Sequence, residues 1–194
     1  YIKVVRGFLR EGDKITITFG DRSGGSPGMR LQTFCEDSYE FHTLIDPIAT
    51  YCYQPMPVQP VIKIIPGEPA RYLAVAPTIR AIDESFSVKF KGEDKWGNPS
   101  DRCDIQLYPR ASHPVQNLPD VISLKPGEFF GVIDGLSVTD AADLHIDFLD
   151  DADAVLCRTN PIRIEPAPIS RHFWGDLHGQ SEETIGTGSA EAYF

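Results

Sequence analysis

The sequence predicts an all-β fold built from two β-sandwich-like domains. Short apolar runs with polar residues at every second position recur along the chain, 16 Gly and 16 Pro lie between and around these runs, and helical patterns are scarce. Such alternation places the apolar side chains on one face of a strand, and Gly and Pro are typical of the turns that join strands. Strands separated by frequent turns favour a sandwich over a helical bundle.

Composition excludes some classes of partner. The 194 residues are 41% hydrophobic, which is enough apolar surface to bury a core. A formal net charge of −10 argues against a broad phosphate-binding surface, because such surfaces need clustered Lys and Arg. No apolar stretch approaches the roughly 20 residues of a membrane-spanning helix. We therefore expect neither nucleic acid nor a membrane as a partner, and composition leaves the oligomeric state and the compartment open.

Residues 1–60 are predicted to form the first β-domain, which we expect to be incomplete. Its clearest strand is residues 14–19, where Ile15, Ile17 and Phe19 alternate with polar residues and are predicted to share a buried face. Further strands are predicted at 29–34 and 39–45.

Two other segments of this region are predicted to connect strands. The stretch 20–28 is rich in glycine but lacks the ending of a phosphate-binding loop, and no helix pattern follows it, so a flexible connection or hairpin tip is expected. The stretch 55–60 contains three prolines, and each fixes its own φ and disfavours helix in the residue before it. A stiff, extended linker is therefore predicted there.

Residues 61–166 are predicted to form the second sandwich. Phe86, Val88 and Phe90 alternate toward a core, and the stretch 94–99 supplies a turn before the next strand. Eight runs have the composition of strands: 61–65, 71–75, 86–91, 103–108, 129–133, 144–149, 154–158 and 161–165. The turn, with its Asp-x-x-Gly-Asn pattern, and the closing run Asn160-Pro161-Ile162-Arg163-Ile164 resemble those of bacterial immunoglobulin-like modules, which implies an immunoglobulin-like topology for this domain.

The acidic cluster near the end of this domain suggests two interpretations. Calcium takes oxygen ligands, but no Asp-x-Asp-x-Asp-Gly loop is present, and Asp147 is predicted to face outward from a strand. Solvated carboxylates at a hairpin tip are favoured for Asp150, Asp151 and Asp153.

The cysteines are widely spaced and form no Cys-x-x-Cys pair, which argues against a structural zinc site. They are Cys35, Cys52, Cys103 and Cys157. Buried, scattered core residues are the favoured interpretation, with a bridge between Cys35 and Cys52 in an oxidising compartment as the alternative.

A polar motif follows the proline-rich boundary at residues 166–168. On an extended strand, Asp176, His178 and Gln180 point the same way, so their side chains can converge at the end of the strand. A neutral imidazole in such a position is a natural ligand for zinc, iron or manganese. On spacing alone, two interpretations stay open for His178: a metal ligand, or merely a polar residue at the end of a strand.

The string from Phe173 to Phe194, with its Gly-Asp-Leu-His core, resembles the start of the PHP-like (polymerase and histidinol phosphatase) metallohydrolase domain. More specifically, it is similar to bacterial proteins grouped as domain of unknown function 3604, whose β-rich front part resembles the Gly20–Met29 region. The resemblance implies that residues 167–194 are the first strand and helix start of a truncated α/β barrel. It also implies a divalent metal in the longer parent protein and none in this fragment.

The resemblance assigns roles to three residues. His178 matches the first histidine of the family's His-x-His metal motif, and Asp176 matches an acidic position that orients a ligand. Gln180 stands where the family has its second histidine, and a neutral amide oxygen is a poorer ligand than imidazole for such metals. His172 has no matching role and is predicted to be a strand residue near the surface.

Other polar and aromatic residues allow more than one interpretation. Glu182 and Glu183 lie close enough to the predicted site to act as acid, base or ligand, but solvated loop carboxylates are favoured. Phe173 and Trp174 are expected to pack rather than bind substrate. A further group suggests a sugar-stacking face, with strand-face packing favoured: Tyr39, Phe41, Tyr51 and Tyr53.

Two hypotheses for function follow. In the first, the chain is the noncatalytic β-region in front of a metal-dependent, phosphoesterase-like hydrolase, and its partner is the barrel of the same protein. Such an enzyme would use a metal-activated water, and the fragment alone would be inactive. In the second, the chain is a freestanding binding or adhesion module with no catalytic role.

Overall fold

In the computed structural model, the described part of the chain comprises residues 2–168, 170, 172, 173, 175, 188, 189 and 191. No helix occurs within residues 2–168, so the predicted all-β class is confirmed. The chain divides into two compact units, residues 1–63 and 64–194. The strands are β1 (Glu36–Glu40), β2 (Leu44–Ile45), β3 (Gln54–Pro55), β4 (Val61–Ile64), β5 (Arg71–Val75), β6 (Ile79–Ala81), β7 (Phe86–Glu93), β8 (Ile105–Ala111), β9 (Ile122–Leu124), β10 (Gly131–Leu136), β11 (Ala142–Leu144), β12 (Ile146–Leu149), β13 (Val155–Arg158) and β14 (Ile162–Glu165).

The first unit contains little regular structure. β1 pairs with β4, and β2 pairs with β3, each in a two-stranded sheet. The predicted strands at 29–34 and 14–19 are not formed, and only parts of 39–45 are strand.

The residues of the 14–19 segment are exposed. Ile15, Ile17 and Phe19 are 53%, 51% and 57% exposed, so the predicted shared buried face is wrong. A strand needs a neighbour that satisfies its backbone N–H and C=O groups, and none of the described residues pairs with this segment as a strand. The alternation of apolar and polar residues therefore predicted a strand that does not form, because the described residues supply no partner for it.

Local hydrogen bonds hold the two predicted connections. In the stretch 20–28, the Ser23 N–H donates to Asp21 Oδ1 at 2.9 Å, so this segment is a turn-rich connection without flanking strands rather than a hairpin tip. In the stretch 55–60, the Gln59 side chain accepts from the Thr43 N–H at 2.7 Å and donates to the Thr43 carbonyl at 3.2 Å. The proline-rich segment is thus tied to the preceding residues of its own unit.

The described residues of the second unit form three sheets. One sheet has the antiparallel order β10–β7–β5, and a four-stranded antiparallel sheet has the order β13–β12–β8–β9. The third has the order β11–β14–β6, in which β14 runs antiparallel to β11 and parallel to β6.

Side chains from these sheets share one core. Phe86, Val88 and Phe90 of β7 are buried as predicted, and the rings of Phe90 and Phe148 stack with their centroids 5.7 Å apart. Sheets that share a core in this way are consistent with the predicted sandwich. The core cluster also includes Leu107, Leu124, Ile133, Leu136, Leu144, Ile146, Ile162 and Ile164.

Close packing beside β7 requires a glycine. Gly131 of β10 lies opposite Phe90 in the strand register. A Cβ atom at Gly131 would overlap the Phe90 ring, so any larger residue forces that ring to move. This position therefore sets how tightly the aromatic pair packs.

Each of the eight runs predicted in this region overlaps an observed strand, whereas β6, β9 and all of β11 except Leu144 were not predicted. β6, β9 and β11 are each three residues long. Such segments are too short to show a period. Their pairing with longer strands, such as that of β6 with β14, makes them strands.

Candidate functional site

The predicted metal-site residues Asp176, His178 and Gln180 lie outside the described residues. The same is true of Glu182 and Glu183, so the geometry of the motif stays a prediction. Within the described residues, no group of three or more His, Cys, Asp or Glu side chains is placed to hold a metal ion.

The chain reaches the motif through β14, the central strand of its sheet. His172 is exposed, as predicted, but lies outside any strand. Phe173 is 88% exposed, so the prediction that it packs is wrong. The nearest described residues in the chain, His172 and Gly175, are exposed as well. Trp174 lies outside the described residues.

A depression of about 630 Å³ lies over the outward face of the β11–β14–β6 sheet. We call it the β14 depression. On β14, Ile162 and Ile164 point into the core, so Arg163 and Glu165 point outward. Six residues define it, with Pro161 and Ser170 also in its lining: Thr78, Ile79, Asp143, Arg163, Glu165 and His172.

Charges of both signs meet in the β14 depression. Asp143 and Arg163 are opposite each other on β11 and β14, and Arg163 Nε donates to Asp143 Oδ1 at 3.0 Å. This hydrogen bond, with the negative charges of Asp143 and Glu165, raises the pKa of Arg163. Arg163 therefore stays protonated and is held in place by Asp143.

Ile79 forms an apolar floor in the β14 depression. It lies beside Arg163 in the parallel pair of β6 and β14. It is only 7% exposed, although it does not belong to the main core cluster. The sequence carries no local signal that groups these residues, because β6 and β11 lie far from β14 along the chain and meet it only through strand pairing.

Asp94 holds the predicted turn at 94–99. Its Oδ1 accepts from the backbone N–H groups of Trp96 at 2.8 Å and Asn98 at 3.0 Å, and its Oδ2 accepts from the Gly67 N–H at 3.1 Å and from Asn98 Nδ2 at 2.9 Å. The residue is 3% exposed. Burial alone would raise the pKa of this carboxyl, but the hydrogen bonds from Asn98, Gly67 and Trp96 outweigh it and lower the pKa to about 2. Asp94 is thus an ionised structural residue that joins two loops.

Asp147 also has a structural partner. Arg158 on the neighbouring strand β13 donates from Nε to Asp147 Oδ1 at 2.5 Å and from Nη2 to Oδ2 at 3.0 Å. The hydrogen bonds from Arg158 lower the pKa of Asp147 against the opposing effect of burial. The two strands are therefore joined by a bidentate ion pair.

The hairpin-tip interpretation of the acidic cluster is confirmed. Residues 151–153 form the turn between β12 and β13. Asp150 Oδ1 accepts from the backbone N–H groups of Ala152 at 3.0 Å and Ala154 at 2.8 Å. This carboxylate is used to hold the turn.

The cysteines divide between the two units. Cys103 is buried in the core cluster, and Cys157 is half-buried and packs against that cluster, as predicted. Burial raises the pKa of Cys157 to about 11, which keeps its thiol protonated. Cys35 and Cys52 are exposed, so the prediction that they are core residues is wrong. The described residues of their unit form two small sheets, which offer little interior in which to bury them.

The tyrosines and phenylalanine of the first unit pack only in part. Phe41 stacks on Phe19 at 4.5 Å and meets Tyr39 edge-to-face at 5.2 Å between ring centroids. Packing is thus confirmed for Tyr39 and Phe41. Tyr51 and Tyr53 are exposed.

Among the described residues there is no helix of the length and apolar character needed to cross a membrane. Neither a scan against protein-family models nor a search of curated proteins found a match to this chain.

Proposed function

We propose that the two β-rich regions, residues 1–60 and 61–166, are noncatalytic modules of a metal-dependent, phosphoesterase-like hydrolase. In this proposal the second region is immunoglobulin-like, and residues 167–194 begin a PHP-like barrel of the kind found in the domain of unknown function 3604 proteins. The sandwich would carry the barrel and fix the point at which it starts.

The observation that carries the proposal is the position of β14. The strand that leads to the motif is the central strand of its sheet, with a partner on each side. Its residues Ile162 and Ile164 are buried in the core cluster. The segment before the motif therefore leaves from a strand that is held along both edges, which suits a rigid support for a following domain.

The use of the acidic residues supports a noncatalytic role for the sandwich. Asp94 and Asp150 accept backbone hydrogen bonds in turns, and Asp147 is paired with Arg158. A catalytic carboxylate must be able to reach a substrate proton or a metal. These three carboxylates instead hold the structure of loops and strands.

The donor set of the motif is too small for a complete metal centre by itself. His178 supplies an imidazole and Gln180 an amide oxygen, whereas catalytic zinc sites use three protein ligands and keep one position open. The two residues present do not fit a full site without ligands from other strands. In the proposed enzyme, Asp176 would hydrogen-bond a ligand and fix its orientation.

The test compares this chain with the encoded protein that includes whatever follows Phe194. Hydrolysis of a phosphomonoester and a phosphodiester is measured with Mn²⁺ and with Zn²⁺. We expect turnover from a longer protein and none from residues 1–194. His178→Ala should abolish turnover, whereas His42→Ala, at an exposed histidine of the first unit, should leave it unchanged.

Two results would contradict the proposal. One is robust turnover or tight metal binding by residues 1–194 alone. The other is a gene that continues after Phe194 into another sandwich, without a strand-helix pattern that carries further His and Asp residues.

A freestanding binding module is the second candidate, and one observation favours it. The outward face of the β10–β7–β5 sheet exposes Val75, Val132 and Leu73, and large apolar side chains that share one face are typical of interaction surfaces. A gene that stops at Phe194 would favour this candidate over the enzyme.

A further inference from the structure

We propose that the β14 depression binds a small zwitterion with an ammonium and a carboxylate group, such as a free amino acid. This activity is independent of the proposed hydrolase, because the charged residues that would bind the ligand, Arg163 and Glu165, lie on the sandwich and neither the motif nor a metal is needed.

The carboxylate of the ligand would bind Arg163. Within the described residues, the guanidinium of Arg163 makes one side-chain hydrogen bond, from Nε to Asp143. This contact holds the side chain and leaves the Nη1 and Nη2 groups as a fork of parallel donors. A carboxylate can accept two hydrogen bonds from such a fork.

The ammonium group of the ligand would bind Glu165. Arg163 and Glu165 point to the same side of β14, with their Cα atoms about 7 Å apart along the strand. The Glu165 carboxylate makes no hydrogen bond to another side chain in the described part of the chain, and Asp143, which also lines the depression, adds a second negative charge. A ligand with a single charge would satisfy only one side of this arrangement.

Apolar surface lies next to these charges. Ile79 forms the floor and Pro161 contributes to the lining. The aliphatic part of an amino acid such as leucine would contact them, and burial of its methyl groups would add to the affinity. The charged groups are solvent-exposed, so each ion pair contributes little and a dissociation constant of about 1–10 mM is expected.

The test is a titration of the ¹⁵N-labelled chain with L-leucine, followed by two-dimensional NMR. Saturable shifts are expected for the amide signals of Ile79, Asp143, Arg163 and Glu165. Glycine lacks the apolar side chain and should bind several-fold more weakly. Acetate and methylammonium each carry half of the charge pattern and should bind about tenfold more weakly than leucine.

Two variants show whether Arg163 is responsible. Arg163→Ala should abolish the saturable shifts, and Arg163→Lys, which keeps the charge but loses the fork, should weaken binding several-fold. The matched control is Arg110→Ala, which removes another exposed arginine in a carboxylate pair, 2.9 Å from Asp153, and should bind leucine like the parent chain. The amide spectrum of each variant shows whether it is folded.

Three outcomes would overturn the proposal. They are the absence of saturable shifts up to about 50 mM leucine, equal binding of acetate and leucine, and an equal loss of binding in the Arg110 and Arg163 variants. Equal binding of acetate would mean an anion site without recognition of the ammonium group.

Discussion

Residues 14–19 and 86–91 have the same alternating pattern but different structures. The first segment is exposed and pairs with no strand among the described residues, whereas the second lies in β7 between β5 and β10. Both could present one apolar face as strands. The difference teaches that alternation specifies which face of a strand is apolar, while partner strands on its edges decide whether the strand forms.

The same contrast holds for the two units as a whole. Residues 64–168 contain a core that joins three sheets, and residues 2–63 contain two small sheets with many exposed apolar side chains. Matched substitutions in the two units should therefore differ in effect. Trp96 lies in the turn at 94–99 of the second unit, so its fluorescence is expected to report on unfolding of that unit.

The largest difference is expected for phenylalanine. Phe148→Ala removes a fully buried ring that stacks on Phe90, and it should lower the free energy of unfolding by about 3–5 kcal/mol. Phe34→Ala removes an exposed ring of the first unit and should change the free energy of unfolding by less than about 0.5 kcal/mol. Urea unfolding followed by circular dichroism and fluorescence measures both, and equal effects would remove the distinction between the units.

A substitution at glycine should have the next largest effect. Gly131→Ala places a methyl group against the Phe90 ring and should destabilise the chain by about 1–3 kcal/mol, as overpacking does elsewhere. Gly24→Ala is the control, because nothing lies within 4 Å of its added Cβ. The unfolding midpoints in urea provide the measurement, and an unchanged midpoint for Gly131→Ala would show that the ring moves aside freely.

The lowered pKa of Asp94 predicts that the stability of the fold depends on pH. This pKa is lowered from 3.8 to about 2 in the folded chain. The contribution of the ionised Asp94 to the free energy of unfolding is therefore complete above the pKa that it has in the unfolded chain. It is lost as the pH falls through the pKa that it has in the folded chain. That contribution is about 2 kcal/mol. Urea unfolding of the parent chain and of Asp94→Asn, at several pH values from about 5 to 2, should give curves that converge at the acid end.

The control for Asp94 is Asp46 in the first unit. Asp46 holds a comparable turn by accepting from the backbone N–H groups of Thr50 at 3.1 Å and Tyr51 at 2.6 Å, but it is only half-buried and lies in the first unit. Asp46→Asn should leave the fluorescence-detected transition unchanged at every pH. A pH-independent gap between the parent chain and Asp94→Asn would show that the lowered pKa does not stabilise the fold.

The smallest effect is expected for ion pairs. Arg158→Lys loses one of the two hydrogen bonds to Asp147 and should cost about 1 kcal/mol. Asp37→Asn removes an exposed pair with Lys63 at 2.8 Å and should have no measurable effect. Urea unfolding in low and high salt compares the two, and a loss of the Arg158 effect in high salt would show that the pair is fully screened.

The sequence predicts the fold best where the pattern is strong and partners are near. Phe86, Val88 and Phe90 were correctly placed in the core, and the turn at Asp94 was correctly placed before the next strand. β6 could not be predicted, because its three residues become a strand only through β14. The residues of the β14 depression were not grouped for the same reason, since Asp143 and Arg163 meet through a strand pairing that has no local signature.

The parallel pair of β6 and β14 has a consequence for synthesis of the chain on the ribosome. Ala76, which precedes β6, donates its N–H to Asn160 Oδ1 at 2.9 Å, and these two residues are 84 positions apart. Such a long-range closure is slow to form. In the described part of the chain, β14 is the strand that pairs with β6, so we expect the nascent domain to stay open to proteases and chaperones until Glu165 has left the exit tunnel.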